Sequence, residues 1–136
     1  MLPNSQNSFT VREMALAVGK TERTVRFYEE KGIIGGEKHG GRRYYDGNSL
    51  QRLRFALHAK EAGFLLNEIR TLLDLCERSA KHERLSVVLQ ECRKKSNELI
   101  KQKAEIERQI RGLSRWIERF EFLKPGEALR SANLNR

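Results

Sequence analysis

Cysteine and proline are scarce in this chain, two of each among 136 residues. Two cysteines cannot build a disulfide framework. Cys76 and Cys92, both in helical stretches, read as packing residues of a protein kept in a reducing cytoplasm. Long apolar runs are missing too. Nothing approaches the roughly 18 consecutive apolar residues of a membrane span, so no membrane association is expected. Residues 1–9 carry neither a basic stretch nor an apolar core, which argues against a signal peptide; residues 1–8 read as a disordered lead. No phosphate-cradling Gly-rich loop, dinucleotide fingerprint, zinc-protease helix or nucleophile elbow occurs, so neither an enzyme nor a cofactor is expected, and no metal site. Acidic residues are outnumbered, 18 against 27 Lys and Arg, which leaves a net charge of +9. That balance suits a polyanionic partner. It does not locate the site, because residues 10–60 and 84–124 each hold 11 basic and 6 acidic side chains.

What the chain does have is a succession of short helical patterns punctuated by glycine. Thr10-Val11-Arg12-Glu13 has the form of a capping box, in which hydroxyl and carboxylate each accept from the other residue's amide. Val11, Met14, Ala15 and Val18 then fall on one helical face, and Gly19 supplies a turn. Thr21 is placed to cap a second helix with Val25, the backbone side of Tyr28 and Phe27 as its candidate apolar face. Two short helices across so tight a link form a helix-turn-helix, whose second helix enters the major groove of DNA. Four glycines between 35 and 41 forbid a helix there, and Arg42-Arg43-Tyr44-Tyr45 has strand propensity. Together they read as a winged β-hairpin with a flexible tip. Residues 46–49 offer several N-caps for a helix beginning near Leu50, with Leu50, Leu53, Ala56 and Leu57 on one face and Gly63 as its stop. A further helix runs from about Leu66 to Arg78 with Ile69, Leu72, Leu73 and Cys76 inward, and residues 79–82 are a weak linker.

From Leu85 the period changes. Leu85, Leu89, Cys92, Ser96, Leu99, Lys103, Ile106, Ile110, Leu113, Ile117 and Phe120 follow one another at alternating steps of four and three. That is a coiled-coil seam on a helix on the order of 55 Å long. Alone, such a helix would leave its apolar stripe wet. A second copy of the chain is the simplest cover; the rival is a helix folded back on its own domain. Ser96 and Lys103 interrupt the seam midway, as register-setting polar positions do. Pro125-Gly126 is expected to end the rod, leaving a short polar tail over 125–136.

The order of helix-turn-helix, wing, two helices and long dimerising helix resembles the MerR family of bacterial transcription regulators. The likeness covers about residues 9–75 at the level of motifs and the coil by architecture. It rests on Phe9 to Ala15, on Thr24-Val25-Arg26-Phe27-Tyr28-Glu29 followed by Gly32-Ile33-Ile34, and on Arg43-Tyr44-Tyr45. It extends through Leu53-Arg54-Phe55, Ala62-Gly63-Phe64 and Glu68-Ile69. Two departures stand out. Gly35-Gly36 replaces a proline common after the recognition helix, which implies a looser wing tip. Leu65 replaces a small polar cap, which loses about 1 kcal/mol unless Asn67 compensates. The fold expectation is mainly α: a winged helix-turn-helix DNA-binding domain over 9–78, then a long antiparallel coiled-coil dimerisation helix over 83–124.

The resemblance implies a homodimer on double-stranded promoter DNA, acting by bending and untwisting the spacer until RNA polymerase can use it. Simple repression at the same site is the close rival. An excisionase-like architectural protein and a coiled-coil adaptor are the readings from other classes. Thr21, Glu22, Arg23 and Thr24 open the recognition helix within reach of base edges, with Arg23 suited to guanine and Glu22 to cytosine. Arg26 and Tyr28 are expected at phosphates, although Arg26 could instead pair with Glu29 or Glu30. Lys38, Arg42, Arg43 and Tyr45 of the wing are expected on the backbone, with His39 beside them and Arg54 and His58 adding contacts from the third helix. Strand alternation turns one of Tyr44 and Tyr45 inward without saying which. The expected dimer seam is Leu85, Leu89, Cys92, Leu99, Ile106, Ile110, Leu113, Ile117 and Phe120. Metal sensors of the family place a cysteine at the start of the long helix and more after it, and this chain has neither. The four-cysteine cluster of the family's iron–sulfur sensors is missing too, which leaves Cys76 as a lone candidate thiol sensor. About 12 residues follow Lys124, too few for the ligand domain of multidrug sensors, so the likeness is to short-tailed members. Lys94-Lys95, Lys101 to Lys103 and Trp116 to Phe122 are then candidate effector contacts, with dimer packing as the alternative role of the aromatic group.

Overall fold

The structure is a computed structural model and describes residues 7–123 and 126. The elements are β1 (Ser8–Thr10), α1 (Val11–Val18), α2 (Glu22–Glu30), β2 (Gly36–His39), β3 (Arg42–Asp46), α3 (Gly47–Glu61), α4 (Leu66–Arg78) and α5 (Arg84–Glu121). The chain divides into two compact units, Met1–Glu91 and Cys92–Arg136.

The helix starts follow from short-range chemistry. The Thr10 hydroxyl accepts from the Glu13 amide at 3.2 Å, and the Thr10 amide donates to the Glu13 carboxylate at 3.4 Å, which completes the capping box. Thr21 caps α2 by accepting from the Thr24 amide at 3.2 Å. Asp46 caps α3 by accepting from the Ser49 amide at 2.8 Å, so α3 begins at Gly47, ahead of the expected Leu50. Between α1 and α2, Gly19 adopts φ +66, the left-handed conformation that closes a helix C-terminus. At the start of α4 only half a box forms. The Glu68 carboxylate accepts from the Leu65 amide at 2.8 Å, while Leu65 has no side-chain oxygen to return the bond. One turn on, the Thr71 hydroxyl donates to the backbone carbonyl of Asn67 at 3.0 Å.

The sheet has the order β1-β3-β2, antiparallel throughout. His39 pairs with Arg42 across a two-residue turn, Gly40-Gly41, whose φ values of 58 and 80 suit the tight hairpin turns that favour glycine. The β1 strand is a correction to the reading of residues 1–8 as a lead: Ser8 pairs with Asp46 and Phe9 with Tyr45. A three-residue strand has too little pattern to be seen locally and exists because β3 offers it an edge. Residues 1–6 of that lead, and the 125–136 tail apart from position 126, lie outside the described residues.

One apolar cluster organises the first unit. Met14, Val25, Tyr28, Ile33, Tyr45, Leu53 and Ile69 are its most deeply buried large side chains, each worth roughly 1.5–3 kcal/mol of burial if aliphatic. The end of α2 is held from two sides. Arg52 of α3 donates to the Ile33 carbonyl at 2.7 Å and pairs with Glu77 of α4, and Arg70 of α4 donates to the Lys31 carbonyl. The Lys31 carbonyl, at the helix C-cap, is one that a helix terminus leaves without an intrahelical partner, and the Ile33 carbonyl belongs to the segment that follows.

In α5 the seam residues Leu85, Leu89, Leu99, Ile106, Ile110, Leu113 and Ile117 are exposed, and so is Cys92. Phe120 is half-buried and meets Trp116 edge-on, with ring centroids 5.6 Å apart. A single copy therefore leaves the stripe uncovered. Among the described residues no helix is long and apolar enough to cross a membrane.

Candidate nucleic-acid interface

The N-terminal half of α2 and the outer face of α3 border one open groove of about 900 Å³. Arg23 and Thr24 reach it from α2, Arg54 and His58 from α3, and Thr21 from the turn. With Tyr28, which also lines it, the groove brings together six residues expected at DNA from separate segments. It adds three that were missed: Lys20, Lys60 and Phe27. The cations Lys20, Arg23, Arg54 and Lys60 face a single carboxylate, Glu61, so the groove is positive whatever the state of His58. Phe27 was read as a possible core residue of α2. It is instead 38% exposed, edge-on to Tyr28, with the Lys31 and Lys60 ammonium groups 5.7 and 5.9 Å from its ring centroid. Stacking cations on an exposed ring holds long lysine side chains near one spot. The helical spacing of Arg54, Leu57, His58 and Glu61 could have revealed the α3 wall; Lys20 and Lys31 carried no distinguishing local pattern.

Two hydroxyls of the expected base-reading set are already engaged. Thr21 and Thr24 lie 3.0 Å apart, oxygen to oxygen, and Thr21 also caps the helix. Glu22 and Arg26 are exposed and pair one turn apart at 3.6 Å, so the partner of Arg26 is Glu22 rather than Glu29 or Glu30. An exposed pair of this kind is worth little and opens readily to a phosphate. At the wing tip Lys38 and Arg42 are exposed, whereas His39 lies 3.3 Å from the Glu37 carboxylate and edge-on to Tyr44.

Of the expected phosphate contacts, Tyr28 and Tyr45 are buried, and Arg43 is 39% exposed and already paired. Tyr28 is 1% exposed, one turn from Val25 on the same inward face, and its hydroxyl is buried without a partner among the described residues. Burial pushes that phenol above its ordinary value. Tyr45, also 1% exposed, is the inward member of the Tyr44-Tyr45 pair, and its hydroxyl donates to the Glu29 carboxylate. Burial first, then that hydrogen bond, pushes Tyr45 up to about 12. Arg43 lies two positions before Tyr45, so the strand period turns it to the same side, toward α2. There it pairs with Glu29 and donates to the Gly36 carbonyl at 3.3 Å. Its guanidinium is held above its ordinary value, chiefly by the hydrogen bond to Glu29.

Neither cysteine sits in the groove. Cys76 is half-buried and its thiol is raised by burial against a smaller lowering from Arg84, while Cys92 is exposed. Among the described residues no group of three or more His, Cys, Asp and Glu side chains is arranged to hold a metal ion.

The family model described as MerR HTH family regulatory protein matches residues 9–76, and that described as MerR, DNA binding matches residues 50–118. The chain is similar to the HTH-type transcriptional regulator ZntR of Escherichia coli, with 38% identity over 69 residues, 49% of each protein. It therefore spans about half the length of this relative. Among solved structures it is similar to a MerR-family transcriptional regulator from Bacillus cereus, with a TM-score of 0.62 at 22% identity over 93% of both chains. It is also similar to HiNmlR, a MerR family regulator lacking the sensor domain, bound to promoter DNA. That TM-score is 0.52 at 21% identity, over 85% of this chain and 94% of the other. At these identities the structural likenesses establish the fold alone.

Proposed function

The chain belongs to the MerR helix-turn-helix family, and from that premise we propose that it is a cytoplasmic transcription regulator that binds double-stranded promoter DNA as a homodimer. The observation that carries this reading is the convergence of Lys20, Arg23, Arg54, His58 and Lys60 on one groove beside α2. Phosphate neutralisation supplies most of the affinity of such a surface, and the base-facing start of the helix supplies the choice of sequence. Arg26, Arg54, His58 and the wing-tip cations Lys38 and Arg42 act on phosphates, joined by Lys20 and Lys60. Arg23 and Glu22 face base edges. The exposed seam of α5 closes the dimer, which sets two recognition helices at a fixed separation. Bending and untwisting of the promoter spacer, with RNA polymerase as the indirect beneficiary, is the mode of action the family membership favours.

The test is fluorescence anisotropy of the purified protein on DNA from its own upstream region and on scrambled DNA, over a salt series. One dimer per native fragment, with affinity falling steeply as salt rises, is the expected result. Arg26→Ala should weaken binding to both sequences alike, and Arg23→Ala should narrow the gap between them. Equal, weak binding to both fragments would favour an architectural, excisionase-like role instead. If neither variant differed from wild type, the assignment of the site to α2 would be wrong.

A further inference from the structure

Glu29 is a carboxylate on the last turn of the helix assigned to DNA, where a negative charge opposes binding. Its side chain is only 14% exposed, and both carboxylate oxygens are used. One accepts from the Tyr45 hydroxyl and the other pairs with Arg43. Both partners belong to β3, the central strand, and Arg43 also donates to the Gly36 carbonyl of β2. A single carboxylate therefore ties α2 to both strands of the hairpin that carries Lys38 and Arg42 at its tip.

We propose that Glu29 is a positioning residue for DNA binding: by clasping Arg43 and Tyr45 it fixes the wing against α2, so that Lys38 and Arg42 reach the backbone together with Arg23 and Arg26. The proposal rests on the DNA-binding reading above and adds how its two halves are coupled. The hairpin needs such a clasp. Its turn is Gly40-Gly41, its hinge to α2 includes Gly35-Gly36, and each glycine leaves the chain more freedom than any other residue would. The clasp also engages Arg43, a cation 39% exposed that would otherwise be drawn to phosphate. Glu29 itself touches no DNA.

Charge and position predict opposite signs. Removing an acid near DNA strengthens binding if only charge matters. Removing the clasp weakens it. The experiment is a cycle of wild type, Glu29→Ala, the double variant Lys38→Ala/Arg42→Ala, and the triple variant, each titrated on the same fragment. Glu29→Ala should lose about tenfold in affinity, and the tip variant should lose a similar factor. The triple variant should lose little more than Glu29→Ala alone, because coupled residues are not additive. Additive losses, or tighter binding by Glu29→Ala, would overturn the proposal. Tyr45→Phe keeps the ring and removes one of the two contacts, and it should fall between wild type and Glu29→Ala if the latter folds poorly. Hydrogen exchange of the free protein separates this idea from its premise. The amides of β2 should exchange faster in Glu29→Ala while those of α3 do not, and unchanged exchange in β2 would refute the clasp without any DNA present. If β2 loosens as expected and wild type still binds no DNA, the clasp stands and the functional reading falls.

Discussion

Gly35 and Gly36 are neighbours between the recognition helix and the wing, and replacing each by alanine should move stability in opposite directions. Neither has the positive φ that reserves a position for glycine. The backbone therefore admits alanine at both, and only the space around the new methyl decides. At Gly36 a Cβ would lie 2.9 Å from Cε1 and 3.2 Å from Cδ1 of Tyr45, and 3.3 Å from the Tyr44 carbonyl oxygen. The ring cannot easily give way, because Tyr45 is fully buried and its hydroxyl is held by Glu29. The carbonyl belongs to the central strand. Overpacking of this kind costs about 1–3 kcal/mol. At Gly35 nothing lies within 4 Å of the added Cβ, so alanine only narrows the unfolded ensemble and stabilises by roughly 0.4–1 kcal/mol. The gap between the two variants is then about 1.5–4 kcal/mol. Urea unfolding followed by far-ultraviolet circular dichroism measures it, at one fixed protein concentration because the midpoint of a dimer moves with concentration. Midpoints shifted in the same direction, or a Gly36→Ala midpoint equal to that of wild type, would refute the packing argument.

Alkaline pH should loosen the wing. Tyr45 is pushed up to about 12 from 10.0, so the folded protein keeps a proton that the unfolded chain releases. Its contribution is complete below about pH 10 and is lost between about pH 10 and 12, up to ~2–3 kcal/mol in all; unfolding at stepped pH should show this decline flattened in Tyr45→Phe. Asp46→Ala removes the cap of α3, an acceptor 2.8 Å from the Ser49 amide, and should lower stability by about 1 kcal/mol in the same urea assay, with most of it restored by Asp46→Asn. Ile106, 54% exposed in one copy, lies on the seam of α5. Ile106→Glu should halve the mass measured by light scattering at micromolar concentration, and an unchanged mass would show that the seam is not the dimer contact.

The starts of α1 and α2 were legible in the sequence because capping is a dialogue between residues three positions apart, whereas α3 begins at Gly47, ahead of the Leu50 suggested by several candidate caps. Thr10, Thr21 and Asp46 each carry the side-chain oxygen that the next turn requires, and each is found accepting that amide. The hairpin turn was legible for a similar reason, since Gly40-Gly41 is flanked by residues that can pair. The core faces of α1, α3 and α4 followed from period alone, and Met14, Leu53, Ile69, Leu72 and Leu73 are all buried. Site assignment was less legible. Arg43 and Tyr45 have the composition of a DNA-gripping strand end, and nothing near them in the chain says otherwise. Their partner Glu29 is 16 positions before Tyr45. Phe27 erred in the other direction, since its hydrophobicity suggested the core and its place on α2 left it beside the groove.

By itself, then, the sequence determined the order of the helices and the hairpin, most of their caps and turns, the heptad stripe and the surplus of cations, because each depends on residues within a turn or two; the short β1 strand needed its partner β3. Only the tertiary structure decided which cations and phenols face outward. Whether an arginine meets water or a buried carboxylate depends on which strand packs against which helix, and that is settled when segments distant in the chain close around a common core.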